Sequence, residues 1–510
     1  MLSRRSGRCV SKACLALVLA LLAAAGLAQV LPTFPGAEGF GAVASGGRGG
    51  RVLYVTSLDP DPNGLRPGSL NWALAQSGPR YILFKVSGVI HAPANVVHGD
   101  VTIAGQTSPG GVIVRGLVCD AQYQRNDCGN LVVRHLRSRP AAQLGVPEGG
   151  DAMDDALRLD GIHVFMIDRS SFAHATDEGA QVSWASQGTI QRSILAETIG
   201  GHAIHGGMLL NYAHPEYPQD QLSIVKNLWF RLYGRLPELN CEASSYGGGP
   251  PYSSAECAAR PLRVEVSNNL QFDPGIDIQM AQYVDGDPSL GPYRIHLNAV
   301  NNQVMSRTGY GNALFSHVLL ANAENRVYLS GNTMDLYPAF SDYQLVYCCN
   351  DFPTAAPNTD MGVAERLSAR HPYPAIAYWT PAETRAQLPW RVGALPHDPM
   401  DRRMRSRALS GTPQILPHAQ PEANDAFDLD FTAPPAPPAD TDGDGMPDAF
   451  EVQYAGLGLN TSLPQTNGHE LSVPLLGVAG YDNLEVYLHL LSEQLATPTV
   501  LFASGFESVP

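Results

Sequence analysis

Between about residues 50 and 335 the chain alternates apolar and polar positions in short runs. The pattern is neither that of amphipathic helices nor that of long strands. The runs include Val101-Thr-Ile-Ala, Asn130-Leu-Val-Val-Arg-His-Leu, His163-Val-Phe-Met-Ile-Asp, Gly188-Thr-Ile-Gln-Arg-Ser-Ile-Leu and Leu222-Ser-Ile-Val-Lys-Asn-Leu-Trp-Phe. Val264-Glu-Val-Ser-Asn-Asn-Leu, Ile295-His-Leu-Asn-Ala-Val-Asn-Asn-Gln-Val and Val327-Tyr-Leu-Ser-Gly-Asn-Thr-Met follow. A period of two marks a half-buried strand, and each run closes on a small polar residue. Ser171 and Ser193 hold that place 22 residues apart, and Asn227, Asn269, Asn302 and Asn332 hold it in later units. Short strands, a polar residue tolerant of left-handed backbone and a repeat of coil length predict an all-β right-handed parallel β-helix. Stacked asparagines can bond one another up such a ladder. A β-sandwich has similar strands but no reason to repeat the asparagine.

Other segments break the pattern. Arg4, Arg5, Arg8 and Lys12 precede the apolar run Ala13–Ala25 and the small residues up to Ala28, which predicts a secretory signal over 1–28. The run is too short to span a bilayer comfortably. The coil repeat is expected to occupy 29–415, although 340–415 reads as Arg- and Pro-rich loop packed on it. Pro417, Pro421 and the cluster Pro434-Pro435-Ala-Pro437-Pro438 predict an extended linker over 416–439. A tail over 440–495 and a C-terminal stretch 496–510 complete the division.

The tail opens on Asp440-Thr-Asp442-Gly-Asp444-Gly445-Met446-Pro-Asp448-Ala-Phe-Glu451. Oxygen donors fall at loop positions 1, 3, 5, 9 and 12 with glycine at 6, the spacing of a calcium loop. No helix can enter through the preceding prolines, so a lone loop is expected, similar to the tails of many secreted bacterial enzymes. Asp482 and Glu485 are placed to form a capping box on a helix running to about Leu495.

Composition narrows the class. Of 510 residues, 44% are hydrophobic and 16% charged, which excludes wholesale disorder. With 33 Lys+Arg against 48 Asp+Glu the net charge is −15, and no basic block beyond the first dozen residues offers a nucleic-acid footprint. Six cysteines follow the signal. In an oxidising compartment their spacing favours Cys119–Cys128 and Cys241–Cys257, and leaves the adjacent Cys348 and Cys349 open. A secreted monomer, extracellular or periplasmic, is expected.

Carboxylates gather at Asp151, Asp154, Asp155, Asp160, Asp168, Asp177 and Glu178. Alternation puts Asp155 and Leu157 on one face and Arg158 on the other. Asp177-Glu178 comes about one coil later and so stacks near Asp155. Three converging carboxylates suit a hard cation such as Ca2+; a solvated acidic edge has the same composition. His202, His205, Lys226, Arg231 and Arg235 follow within 34 residues.

Four motifs then occur in order. Phe34-Pro-Gly-Ala-Glu-Gly-Phe-Gly-Ala with Gly46-Gly-Arg-Gly-Gly comes first, and Thr102-Ile-Ala-Gly-Gln-Thr-Ser-Pro-Gly-Gly second. Asp168-Arg-Ser-Ser-Phe leading to Asp177-Glu178 is third, and Lys226-Asn-Leu-Trp-Phe leading to Arg235-Leu-Pro is fourth. From about 34 to 270 the chain resembles the secreted bacterial pectate lyases of the first polysaccharide lyase family. The resemblance implies a parallel β-helix that cleaves polygalacturonate, an acidic plant cell-wall polysaccharide, by β-elimination with calcium. It also implies Arg235 as general base, with Lys226, His202 or His205 neutralising developing charge and Arg231 binding substrate. Asp155 and Asp177 or Glu178 are the implied ligands. The family's further calcium aspartate aligns with Gln181, and its second basic residue aligns near Asn240. Two other readings of the same pattern are a non-catalytic adhesion or carbohydrate-binding β-helix and a β-helix glycoside hydrolase using Asp154-Asp155.

Overall fold

A computed structural model describes residues 31–121, 126–141, 155–199, 206–214, 217–241, 259–274, 293–306, 315–316, 318–347, 362–411 and 420–496. The strands wind into a right-handed parallel β-helix with three long sheets of 11, 9 and 6 strands. Each coil visits the sheets in turn. His163–Asp168 lies in the first sheet, Ser171–Ala173 in the second, Ala180–Ser183 in the third, and Ser186–Gln191 returns to the first. Every strand pairs in parallel with its equivalent in the next coil.

The alternation read from the sequence fills the cylinder. Ile167, Ile190, Ile224, Val266, Ala299 and Leu329 stack at one register through six coils, all buried. At about 1.5–3 kcal/mol for each large aliphatic side chain buried, such columns are the main favourable term. At the turn between the first and second sheets, the asparagine amides form a continuous ladder. Asn227 Nδ2 donates to Asn269 Oδ1 (3.2 Å), Asn269 Nδ2 to Asn302 Oδ1 (3.1 Å), and Asn302 Nδ2 to Asn332 Oδ1 (2.9 Å). Asp342 Oδ1 accepts from Asn332 and closes the stack. The left-handed residue is the one before the asparagine, as at Lys226, Asn268 and Asn301. Ser193 continues the column, but its partner is Ser170, whose N–H donates to Ser193 Oγ; Ser171 instead turns outward to Asp401.

Asn269 also accepts the Asn227 N–H and donates to the Ile224 carbonyl. Replacing Asn269 by alanine therefore leaves several buried groups unpaired, at about 1–3 kcal/mol each. A loss of about 2–5 kcal/mol is expected in chemical denaturation; a midpoint matching the parent's would contradict the ladder's role.

The outer face of the first sheet is covered by both ends of the chain. Phe40 N–H donates to Ser223 Oγ, Gly41 N–H to Thr189 Oγ1 and Glu38 N–H to Gln191 Oε1, so outward polar positions on the strands bind the N-terminal strap. A Cβ on Gly41 would lie 2.1 Å from the Phe165 carbonyl oxygen, so only glycine allows this approach. The tail docks beside the strap. Met446, Leu471, Tyr481 and Leu484 pack on Tyr81, Leu83 and Ala104. The helix Asn483–Ala496 sets Ser492 against Arg134, His135 and Arg169. Glu485 accepts the Asp482 N–H as in a capping box, but the Asp482 carboxylate faces the β-helix and accepts from Gly49 N–H and Tyr81 Oη.

Within 340–415 the structure contains two helices, Pro381–Arg391 and Pro399–Ser410, where loop was expected. They lie on the second sheet, burying Leu388, Val392, Met400 and Met404 against Ile194, Leu228, Phe230 and Phe272. Cys119 and Cys128 form a disulfide, and Cys241 is disulfide-bonded. Cys257, Cys348 and Cys349 lie outside the described residues, as does the signal segment. Among the described residues no helix is long and apolar enough to cross a membrane.

Candidate functional site

The turn between the second and third sheets gathers the candidate residues. In successive coils it holds Asp155 before the strand Leu157–Asp160, Asp177 and Glu178 before Ala180–Ser183, Gly206 and Gly207 before Met208–Asn211, and Arg235 before Glu238–Leu239. Coils stack about 4.8 Å apart, so Glu178 and Arg235 are two coils from each other. Gly206 and Gly207 place no side chain between them. A Cβ on Gly207 would meet the Arg235 carbonyl oxygen at 2.0 Å. Across this gap Arg235 pairs through NH1 with Glu178 Oε1.

Asp155, Asp177 and Glu178 each offer an oxygen, all within 4.8 Å of one another. Asp155 Oδ1 accepts the Glu178 N–H at 3.1 Å, and Arg158 NH1 stands 3.5 Å from Asp155 Oδ2. Asp155 therefore does not oppose Arg158 as alternation implied. The strand begins only at Leu157, so the turn is free to bring the two together. Burial pushes the Asp155 carboxyl up to about 7, with Arg158 opposing and Asp177 adding to the rise. Burial also drives Glu178 well above the usual carboxylate range, aided by Asp155 and Asp177 and opposed by Arg235. Such crowded anions are stable together only if protonated or sharing a cation. Their all-oxygen donor set fits Ca2+.

Gln181, where the family pattern has a carboxylate, instead donates to both oxygens of Asp160 (2.9 and 3.0 Å), which also pairs with Arg158 Nε at 2.7 Å. Burial raises the Asp160 carboxyl to about 6, against the effect of Arg158.

Two expected site residues lie away from this turn. Lys226 follows the first-sheet strand Asp220–Val225, so it lies at a different corner of the coil. It is buried, with Nζ 2.8 and 2.6 Å from the Glu38 carboxylate oxygens and 4.9 Å from the Trp379 ring centre. It anchors the N-terminal strap rather than facing a ligand. Arg231 follows the second-sheet strand Leu228–Phe230 and is buried beside Glu197 (3.8 Å) and Asp273 (3.5 Å). Its side chain has no solvent-exposed surface there. His202, His205, Asp151 and Asp154 lie outside the described residues. Glu238 carried no role in the sequence reading, Asp160 appeared there only as one of the gathered carboxylates, and Arg158 only by its outward register on its strand.

The acidic tail loop forms a second cluster. Asp440, Asp442 and Asp444 offer oxygens within 4.8 Å of one another. Glu451 is buried, and neither of its carboxylate oxygens has a hydrogen-bond partner; the same holds for Asp442 Oδ2. Orphaned carboxylate oxygens beside three aspartates fit a calcium ion. Asp448 turns back, accepting from the Thr441 N–H and Oγ1 at 2.8 Å each. Asp440 contacts the β-helix directly, accepting from Tyr54 Oη with Lys85 Nζ 3.8 Å away.

Comparison with known proteins adds a separate line. No family model matches the chain. It is 27% identical over 487 residues to "Probable pectate lyase C" of Emericella nidulans, covering 93% of this chain and 96% of the relative. With the protein of the same name from Aspergillus fumigatus it shares 28% over 481 residues, covering 93% and 97%. The chain is similar to pectate lyases. Both of these relatives are fungal, so the similarity does not carry the bacterial source that the motif resemblance implied. Among solved structures, that of Jun a 1, the major allergen from cedar pollen, aligns with 70% of this chain and 93% of its own at a TM-score of 0.39 and 16% identity.

Proposed function

We propose that this chain is a secreted, calcium-assisted lyase that cleaves polygalacturonate or a closely related uronate polymer by β-elimination. The observation that carries the reading is the contact between Arg235 and Glu178. It places a strong basic side chain on the edge of a three-carboxylate cation site. Near full-length similarity to proteins named pectate lyase supports it. Asp155, Asp177 and Glu178 would hold the ion. A calcium ion there would supply positive charge that attracts the uronate carboxylate and acidifies the neighbouring C5 proton.

Arg235, in its neutral guanidine form, takes this proton on a nitrogen lone pair and becomes guanidinium. The C5–H electrons form the C4=C5 double bond, the C4–O4 bond breaks, and O4 leaves with a proton from solvent. Arg158, partly exposed beside Asp155, is placed to meet a second acidic group of the polymer. The tail loop, through Asp440, Asp442, Asp444 and Glu451, holds a structural calcium that tightens the tail on the first coils. The leading segment 1–28 exports the chain, which acts as a monomer.

Incubation with a panel of polyuronates, with calcium and with chelator, tests the reading by ultraviolet absorbance of unsaturated products. A rise on polygalacturonate that chelator abolishes is expected. Absence of a rise on every uronate polymer with calcium present would sink the proposal.

A further inference from the structure

Arg235 stands between two carboxylates with different duties. Its NH1 pairs with Glu178, which belongs to the cation cluster. Its Nε lies 2.6 Å from Glu238 Oε2, an ion pair whose N–H is not aligned for a hydrogen bond. A divalent cation sharing Glu178 would weaken its hold on the guanidinium, because the two positive charges repel. Glu238 is free of that conflict: it comes from the coil of Arg235 itself, three residues on. Glu238 is itself held in place. Asn240 Nδ2 donates to Glu238 Oε1 at 3.1 Å, and Asn240 Oδ1 accepts the Cys241 N–H at 2.7 Å. Cys241 is tied by a disulfide.

Resting on the lyase reading above, we propose that Glu238 is the positioning residue of Arg235. It retains the guanidinium once a cation has taken Glu178, and Asn240 fixes Glu238.

The arrangement makes Arg235 a competitor of the cation for Glu178, and Glu238 a relief for that competition. Titration of calcium chloride into the full chain by calorimetry reads this directly, the inner site being assigned by its loss in Asp155→Asn. Arg235→Ala is expected to bind calcium more tightly at the inner site, and Glu238→Gln more weakly, each by about threefold or more, the scale of coupling between contacting charges. The double variant should match Arg235→Ala. On polygalacturonate, Glu238→Gln should lower kcat about tenfold or more with KM little changed, as for a misplaced base, and Glu238→Asp should recover part of it. Asn240→Ala moves both readouts the same way and serves if Glu238→Gln does not fold. Parent-like calcium affinity and kcat in Glu238→Gln, or in Asn240→Ala where it stands in, overturn the proposal. If the parent makes no unsaturated product, the lyase reading falls, while the calcium cycle still decides whether Glu238 holds Arg235.

Discussion

Replacing Arg235 by alanine is expected to lower unsaturated-product formation by about 10²–10⁴-fold, the usual contribution of a positioned general base. The loss should fall on kcat, because Arg235 pairs with Glu178 and Glu238 at the edge of the cluster rather than spanning a substrate groove. Stability without calcium should fall as well, since the Arg235 side chain is only 19% exposed and its loss leaves the buried Glu178 carboxylate without its cationic partner. Lysine at this position keeps the charge but loses the planar fork that reaches two carboxylates, so Arg235→Lys should not restore the rate. Steady-state kinetics on polygalacturonate, with a melting curve for each variant, separates the two effects. An Arg235→Ala variant within a fewfold of the parent would remove Arg235 from the mechanism.

The second large effect expected is a calcium-dependent stability that grows with pH. Asp155 ionises near 3.8 when unfolded, but burial pushes its folded value up to about 7. Glu451, beside Asp444 and Asp442, is likewise raised to about 7, with burial the largest cause. Between about pH 4 and 7 the folded chain therefore binds more protons than the unfolded chain. Without calcium, its stability falls as pH rises through that window. At about 1.4 kcal/mol per pH unit for each shifted group, the loss at Asp155 reaches a few kcal/mol. A bound divalent cation offsets that loss once the carboxylates are ionised, and protons compete with it below about pH 7. Melting temperatures in calcium and in chelator should nearly coincide at pH 5 and separate clearly at pH 8. A calcium effect that is equal at both values, or larger at pH 5, would contradict the raised carboxylates.

Much of the architecture was legible because period two and the recurring asparagine are local signals. Asn227, Asn269, Asn302 and Asn332 needed no tertiary context to be placed at one turn, and the structure joins them side chain to side chain. Ser171 was misassigned by one residue because two serines adjoin, and only the strand boundary at Ser171 reveals that Ser170 occupies the column. The phase of a residue around the coil was less legible. Lys226, Arg231 and Arg235 lie within ten positions, yet the turns put them at different corners of the cylinder. Lys226 meets the strap's Glu38, Arg231 lies beside Glu197 and Asp273, and of the three Arg235 is the one that reaches the Asp155–Asp177–Glu178 cluster.

The helices over 381–410 carried readable start signals in Thr380-Pro381 with Glu383 and in Asp398-Pro399, with Gly411 as a stop. Arg-rich composition and Pro389 inside the first helix masked them. The tail's calcium spacing was plain, but its docking was not. The contacts of Asp440 with Tyr54 and of Asp482 with Tyr81 join residues 386 and 401 positions apart, which no local pattern encodes.

Elimination rather than hydrolysis is expected at the Asp155–Glu178–Arg235 site. One digest of polygalacturonate in calcium, assayed in parallel for new reducing ends and for unsaturated ends, tests it most directly. Elimination predicts that the two appear in equal numbers and that both cease on chelation. New reducing ends without matching unsaturation would mean hydrolysis, and would contradict the account.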